Sequence, residues 1–94
     1  MAAYVIAEVE VTNPEGYEAY RNQVPAILEQ YGGTYIVRGG TLEAIEGESA
    51  GRMVILQFED VAAAKRWYNS PEYQAIVGAR QANSTGRLTL VEGV

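Results

Sequence analysis

Ninety-four residues carry seven Lys+Arg against twelve Asp+Glu, a formal charge of −5 and a pI near 4.6, so the chain lacks the basic surface that nucleic acid or an anionic membrane selects. It has no cysteine and no histidine, which excludes a disulfide framework, a thiolate nucleophile, a serine–histidine relay and the commonest metal ligands. A chain this short buries only about 60–65% of its unfolded surface, so the expectation is one domain, residues 1–94, helped by a partner subunit.

The first stretch, Tyr4 to Val11, alternates: Val5, Ala7, Val9 and Val11 on one side, Tyr4, Ile6, Glu8 and Glu10 on the other. It reads as a strand. Preceded by no basic residue and broken by Glu8, it is neither signal peptide nor membrane span, and a cytoplasmic location is the default. Thr12-Asn13-Pro14-Glu15 then starts a helix, with a cap residue, a proline in the first turn and an early acid. Tyr17, Tyr20, Val24, Ile27, Leu28 and Tyr31 form its buried stripe, Pro25 is expected to kink it, and Gly32 ends it in the left-handed conformation.

Thr34 to Glu46 reads as a long strand interrupted at Gly39-Gly40, where glycine permits a bulge, and Arg52 to Glu59 as the next, joined by a hairpin loop over Gly47 to Gly51. Asp60 caps a helix from Val61 to about Asn69. Ser70-Pro71-Glu72 repeats the cap signal, so a further helix runs to about Ala82. Arg87 to Val91 supplies a last strand. The order β-α-β-β-α-β, with its second helix split, predicts an α+β ferredoxin-like fold: a four-stranded antiparallel sheet with the helices on one face. The other face, carrying Tyr4 and Ile6, is then bare and calls for a homodimer through the sheet.

The motifs Tyr20-Arg21, Gly32-Gly33, Arg38-Gly39-Gly40, Glu46-Gly47, Trp67 to Tyr73, Arg80 and Val91-Glu92-Gly93 together resemble the family of unknown function DUF 1330, of the dimeric α+β barrel superfamily, over Tyr4 to Val94. The family pattern often has Glu where this chain has Gln57. The resemblance implies a homodimer of ferredoxin-like subunits. Relatives in that superfamily include cofactor-independent monooxygenases, muconolactone isomerase-like proteins and haem-degrading enzymes, while the family itself has no agreed reaction.

Two residues are candidates for chemistry. Arg38, a permanent cation beside Gly39 and Gly40, can anchor an anion with help from glycine N–H groups; it can equally be a bulge arginine paired with Glu46 or Glu92. Tyr20 can donate a hydrogen bond to a carbonyl or enolate, or be a core tyrosine. Around the Ser70-Pro71 junction, Trp67, Tyr68 and Tyr73 form either a wall for a planar ligand or ordinary core, and Ser70 is most simply a cap. Arg80 is expected at the surface or paired with Glu92. Glu8 and Glu10 are expected at an interface rim, meeting Arg52 or Arg87. No metal site and no cofactor are indicated. Two functions stay open: a cofactor-independent enzyme acting on a small organic acid or aromatic, and a dimeric protein that binds such a molecule without turning it over.

Overall fold

A computed structural model of the chain describes residues 1–49 and 51–94. Its elements run β1 (Ala3–Val11), α1 (Pro14–Gln30), β2 (Thr34–Arg38), β3 (Arg52–Phe58), α2 (Val61–Tyr68), α3 (Pro71–Ala82) and β4 (Ser84–Glu92). The strands form one antiparallel sheet in the order β2-β3-β1-β4, and the helices lie on one face, as the ferredoxin-like pattern requires.

Period-two alternation turns Ala3, Val5 and Val9 of β1 and Leu56 and Phe58 of β3 toward the helices, where all five are buried. Helix α1 lays Tyr17, Tyr20, Val24, Ile27 and Leu28 on them. Helices α2 and α3 add Ala64, Trp67, Tyr73, Ile76 and Val77. Each large apolar side chain so buried contributes about 1.5–3 kcal/mol over its exposed state, and this layer is the core.

The caps largely follow the sequence. Asp60 accepts from the Ala63 N–H at 2.8 Å, and Ser70 Oγ accepts from the Tyr73 N–H at 3.1 Å while donating to the Trp67 carbonyl at 2.7 Å, fixing the corner between α2 and α3. Gly32 closes α1 at φ 78°. Asn13 differs: its side chain makes no cap bond and instead donates to Asn83 Oδ1 at 3.0 Å, because the end of α3 lies beside the start of α1. The helix runs through Pro25 without interruption.

Strand β2 is shorter than expected and stops at Arg38. Gly39, at φ 67°, turns the chain out of the ladder with its N–H on the Met53 carbonyl at 2.9 Å, so residues 40–46 add no strand. Ala50, within the expected hairpin loop, lies outside the described residues. Strand β4 begins earlier than expected, at Ser84, because Gly86 at φ 147° lets the backbone lie against the Glu8 carbonyl where any Cβ would collide.

The second face of the sheet carries Tyr4, Ile6, Met53, Ile55 and Val91, none fully buried, and no helix covers it. The molecule is accordingly a slab of 31 × 30 × 16 Å. Among the described residues no helix is long and apolar enough to cross a membrane.

Candidate functional site

The site begins with one extra residue. Along β2, Tyr35 pairs with Leu56 but Val37 pairs with Ile55, so Ile36 is unmatched and the strand bulges there rather than at the glycines. Without the bulge, Thr34, Ile36 and Arg38 would share the bare face. With it, Arg38 pairs with Val54 and joins Tyr35 on the helix side, its guanidinium 4.3 Å from the centre of the Tyr35 ring.

There Arg38 rims a narrow hollow of about 40 Å³ between the sheet and α1, lined also by Tyr17, Tyr20, Arg21, Arg52, Trp67 and Arg80. Arg21, Arg38, Arg52 and Arg80 are four of the chain's seven basic residues, and no carboxylate lines the hollow. Arg52 faces inward because it pairs with buried Val9, and its guanidinium passes over Gly39, where a Cβ would collide with it. Among the described residues the ion pair is Arg87 with Glu8, at 3.2 Å on the opposite face; the expected partnerships of Arg38 with Glu46 or Glu92, Arg80 with Glu92 and Arg52 with Glu8 or Glu10 do not form. The Nε–H groups of Arg52 and Arg80 and the Nε1–H of Trp67 are buried with no acceptor among the described residues. Each such donor costs about 1–3 kcal/mol if left unpaired.

The hydroxyl of Tyr20, which lines the hollow, meets at 2.8 Å that of Tyr73, a fully buried core residue that is not part of the ligand wall expected of it. Burial, reinforced by the neighbouring Tyr73, pushes the Tyr20 hydroxyl far above its usual range, with Arg80 pulling it back only in part. Burial also raises Tyr73, against its hydrogen bond with Tyr20 and the charge and hydrogen bond of Arg80. Tyr20 is thus a neutral hydroxyl at ordinary pH, able to donate a hydrogen bond and unsuited to act as a base.

The remaining candidate residues divide. Trp67, 1% exposed, stacks against Phe58 at 5.6 Å and Tyr73 at 4.2 Å between ring centres and is core that also borders the hollow. Tyr68 is half-buried on a second, apolar hollow of about 220 Å³ beneath α2, walled by Val5, Ala64, Trp67, Leu88 and Leu90. Trp67 and Leu88 border both hollows. Ser70 is spent on its cap, the Gly39 N–H is held by Met53, and Gly40 has open space around it, so these three do not line either hollow. Among the described residues no group of three or more acids is placed to hold a metal.

Arg52 and Arg80 were expected as ion-pair or surface residues rather than as part of the site, although a signal existed. Arg52 is in phase with buried Leu56 and Phe58, and Arg80 follows Tyr73, Ile76 and Val77 on the inward stripe of α3. A cation in register with a buried face is anomalous on either element.

The model of the domain of unknown function DUF1330 matches residues 2–94. The chain belongs to this family. No curated protein matches the sequence. Among solved structures, a protein of unknown function from Rhodopseudomonas palustris is similar at 22% identity and a TM-score of 0.80, over 99% of this chain and 82% of that one. SnoaB, a cofactor-independent oxygenase from Streptomyces nogalater, is similar at 19% identity and 0.70, over 99% and 93%. A putative antibiotic biosynthesis monooxygenase from Chloroflexus aurantiacus is similar at 10% identity and 0.61, over 100% and 94%. Likeness at these identities establishes the shared fold.

Proposed function

We propose that this protein is a homodimeric, cofactor-independent enzyme acting on a small organic acid or aromatic held between sheet and helices. The observation that carries the reading is the gathering of four arginines, with no carboxylate among the described residues, around a hollow that Tyr20 also lines, in an otherwise acidic protein. Such a focus of positive potential attracts an anion and stabilises negative charge as it develops, for example on an enolate. Arg38 anchors the acid, Tyr20 donates a hydrogen bond, and Trp67 with Tyr68 shapes the apolar wall. One structural neighbour, SnoaB, is a cofactor-independent oxygenase, which is in keeping with chemistry that relies on positioning alone. Dimerisation would hide the bare sheet face through Tyr4, Ile6, Ile55 and Val91.

A second reading, ligand binding without turnover, is favoured by Tyr20 being held neutral and by a lining that offers no carboxylate base. Incubation with a panel of quinols, enol lactones and short-chain acids, following oxygen uptake and absorbance beside thermal shift, separates the two. Turnover that is lost in Arg38→Ala or Tyr20→Phe supports the enzyme; stabilisation without turnover supports the binding protein. Indifference of both variants in both measurements would sink the site.

A further inference from the structure

Resting on that reading, we infer that the ligand is a monocarboxylate with an apolar, ring-sized body, whose acid group is held by Arg52 and Arg80 and whose body occupies the hollow beneath α2. Three observations lead there. The first is a count of donors. The guanidinium groups of Arg21, Arg38, Arg52 and Arg80 and the indole of Trp67 border the same small space, and among the described residues no carboxylate does. An ionised carboxylate offers acceptors only, about four lone-pair sites on two oxygens, and so answers this set without bringing a donor that would go unpaired. A neutral amide of the same shape presents an N–H₂ to a cluster that is already all donor.

The second observation is size. At about 40 Å³ the cationic hollow has room for roughly three water-sized positions, enough for the three heavy atoms of a carboxylate and too little for a ring beside it. The rest of the molecule must lie elsewhere. The third is continuity: Trp67 and Leu88 border this hollow and also the apolar one of about 220 Å³, whose other walls include Val5, Ala64 and Leu90. Val5 and Leu90 face each other across β1 and β4, one step along the sheet from the Ala7–Leu88 pair. An acid seated on the arginines therefore directs its body past Trp67 onto an apolar floor.

The assignment adds Arg52 and Arg80, as ligand-binding residues, to the anchor that Arg38 supplies at the rim of the same hollow. It is tested by calorimetry with phenylacetate, its neutral counterpart phenylacetamide, acetate and phenyl phosphate, on the intact protein and on Arg52→Gln, Arg80→Gln, Leu90→Asn and, as a control on the exposed side of α2, Arg66→Gln. Phenylacetate is expected to bind at least tenfold more tightly than phenylacetamide, acetate and phenyl phosphate. Arg52→Gln and Arg80→Gln each weaken phenylacetate tenfold or more with phenylacetamide unchanged, Leu90→Asn weakens phenylacetate but not acetate, and Arg66→Gln changes nothing. Because phenylacetamide reports whether the folded cavity survives in each variant, a general loss of structure is not mistaken for loss of the acid site. Equal binding of acid and amide, insensitive to both arginine changes, would overturn the carboxylate assignment while leaving a ligand cavity in place. A preference for phenyl phosphate would overturn it in favour of a phosphate site. Absence of binding by all four probes would overturn both this inference and the reading it rests on.

Discussion

The two faces of the sheet are made by the same four strands and yet differ in kind. On the helix side, apolar residues at alternate positions are buried around Trp67, and the cations that reach this face at Arg38, Arg52 and Arg80 stand without carboxylate partners among the described residues. On the bare side, apolar Tyr4, Ile6 and Ile55 remain partly exposed, while the cation present, Arg87, is paired with Glu8. Burial and charge pairing are thus inverted between the faces. A fold optimised only for stability would pair the cations that reach its covered face and cover its apolar surface; on the reading proposed above, a small anion answers the first and a second subunit the second.

Removing the centre of the covered face should have the largest effect. Trp67→Ala leaves Phe58, Tyr68 and Tyr73 without their common neighbour and is expected to cost about 3–5 kcal/mol, read from urea unfolding. The bare face should respond differently. Ile55→Lys is expected to weaken self-association by roughly a hundredfold, about 2.7 kcal/mol, in sedimentation equilibrium, while the monomer keeps its circular dichroism. If it unfolded the monomer instead, the distinction between the faces would be wrong.

Tyr20→Phe sharpens the helix side, since it strands the Tyr73 hydroxyl at a cost of about 1–3 kcal/mol. It also carries a pH signature. The folded pKa of Tyr20 lies above its usual value of 10.0, so the stability it contributes is complete below about pH 10 and is lost as pH rises toward the folded value. The alkaline decline in melting temperature should therefore be shallower in Tyr20→Phe.

The smallest effect belongs to the partly buried latch between the end of α1 and the start of α3, where the Tyr31 hydroxyl donates to Glu72 Oε1 at 2.8 Å. This bond, helped by Gln30, holds the Glu72 carboxyl below its usual 4.5. Its contribution is complete above about pH 4.5 and vanishes as pH falls through the lower folded value. Tyr31→Phe should lower the melting temperature slightly at pH 7 and not at all at strongly acid pH, by calorimetry at the two pH values.

The architecture was legible because its signals are local. Alternation in Tyr4 to Val11, the Ser70-Pro71-Glu72 corner and the Gly32 stop each specify backbone geometry within a few residues. What local reading missed depended on distant neighbours. Asn13 was drawn from its own helix by Asn83, some seventy positions away. The extension of β4 to Ser84 required Gly86 to meet the Glu8 backbone. The site was half legible: Tyr20, Arg38 and Trp67 do share a hollow, but the bulge that brings Arg38 there falls at Ile36, which nothing in its own chemistry marks. Arg52 and Arg80 were expected to be paired or exposed, because an arginine in phase with a buried face ordinarily meets an acid or reaches out to solvent.

The most direct measurement is the unfolding free energy of Arg52→Met, alone and with phenylacetate present. If the arginines stand ready for an anion at the expense of the fold, removing this charge should leave stability unchanged or raise it, and should abolish stabilisation by phenylacetate. A fall of about 2 kcal/mol or more, with ligand stabilisation retained, would show Arg52 to be a structural strut and contradict the site.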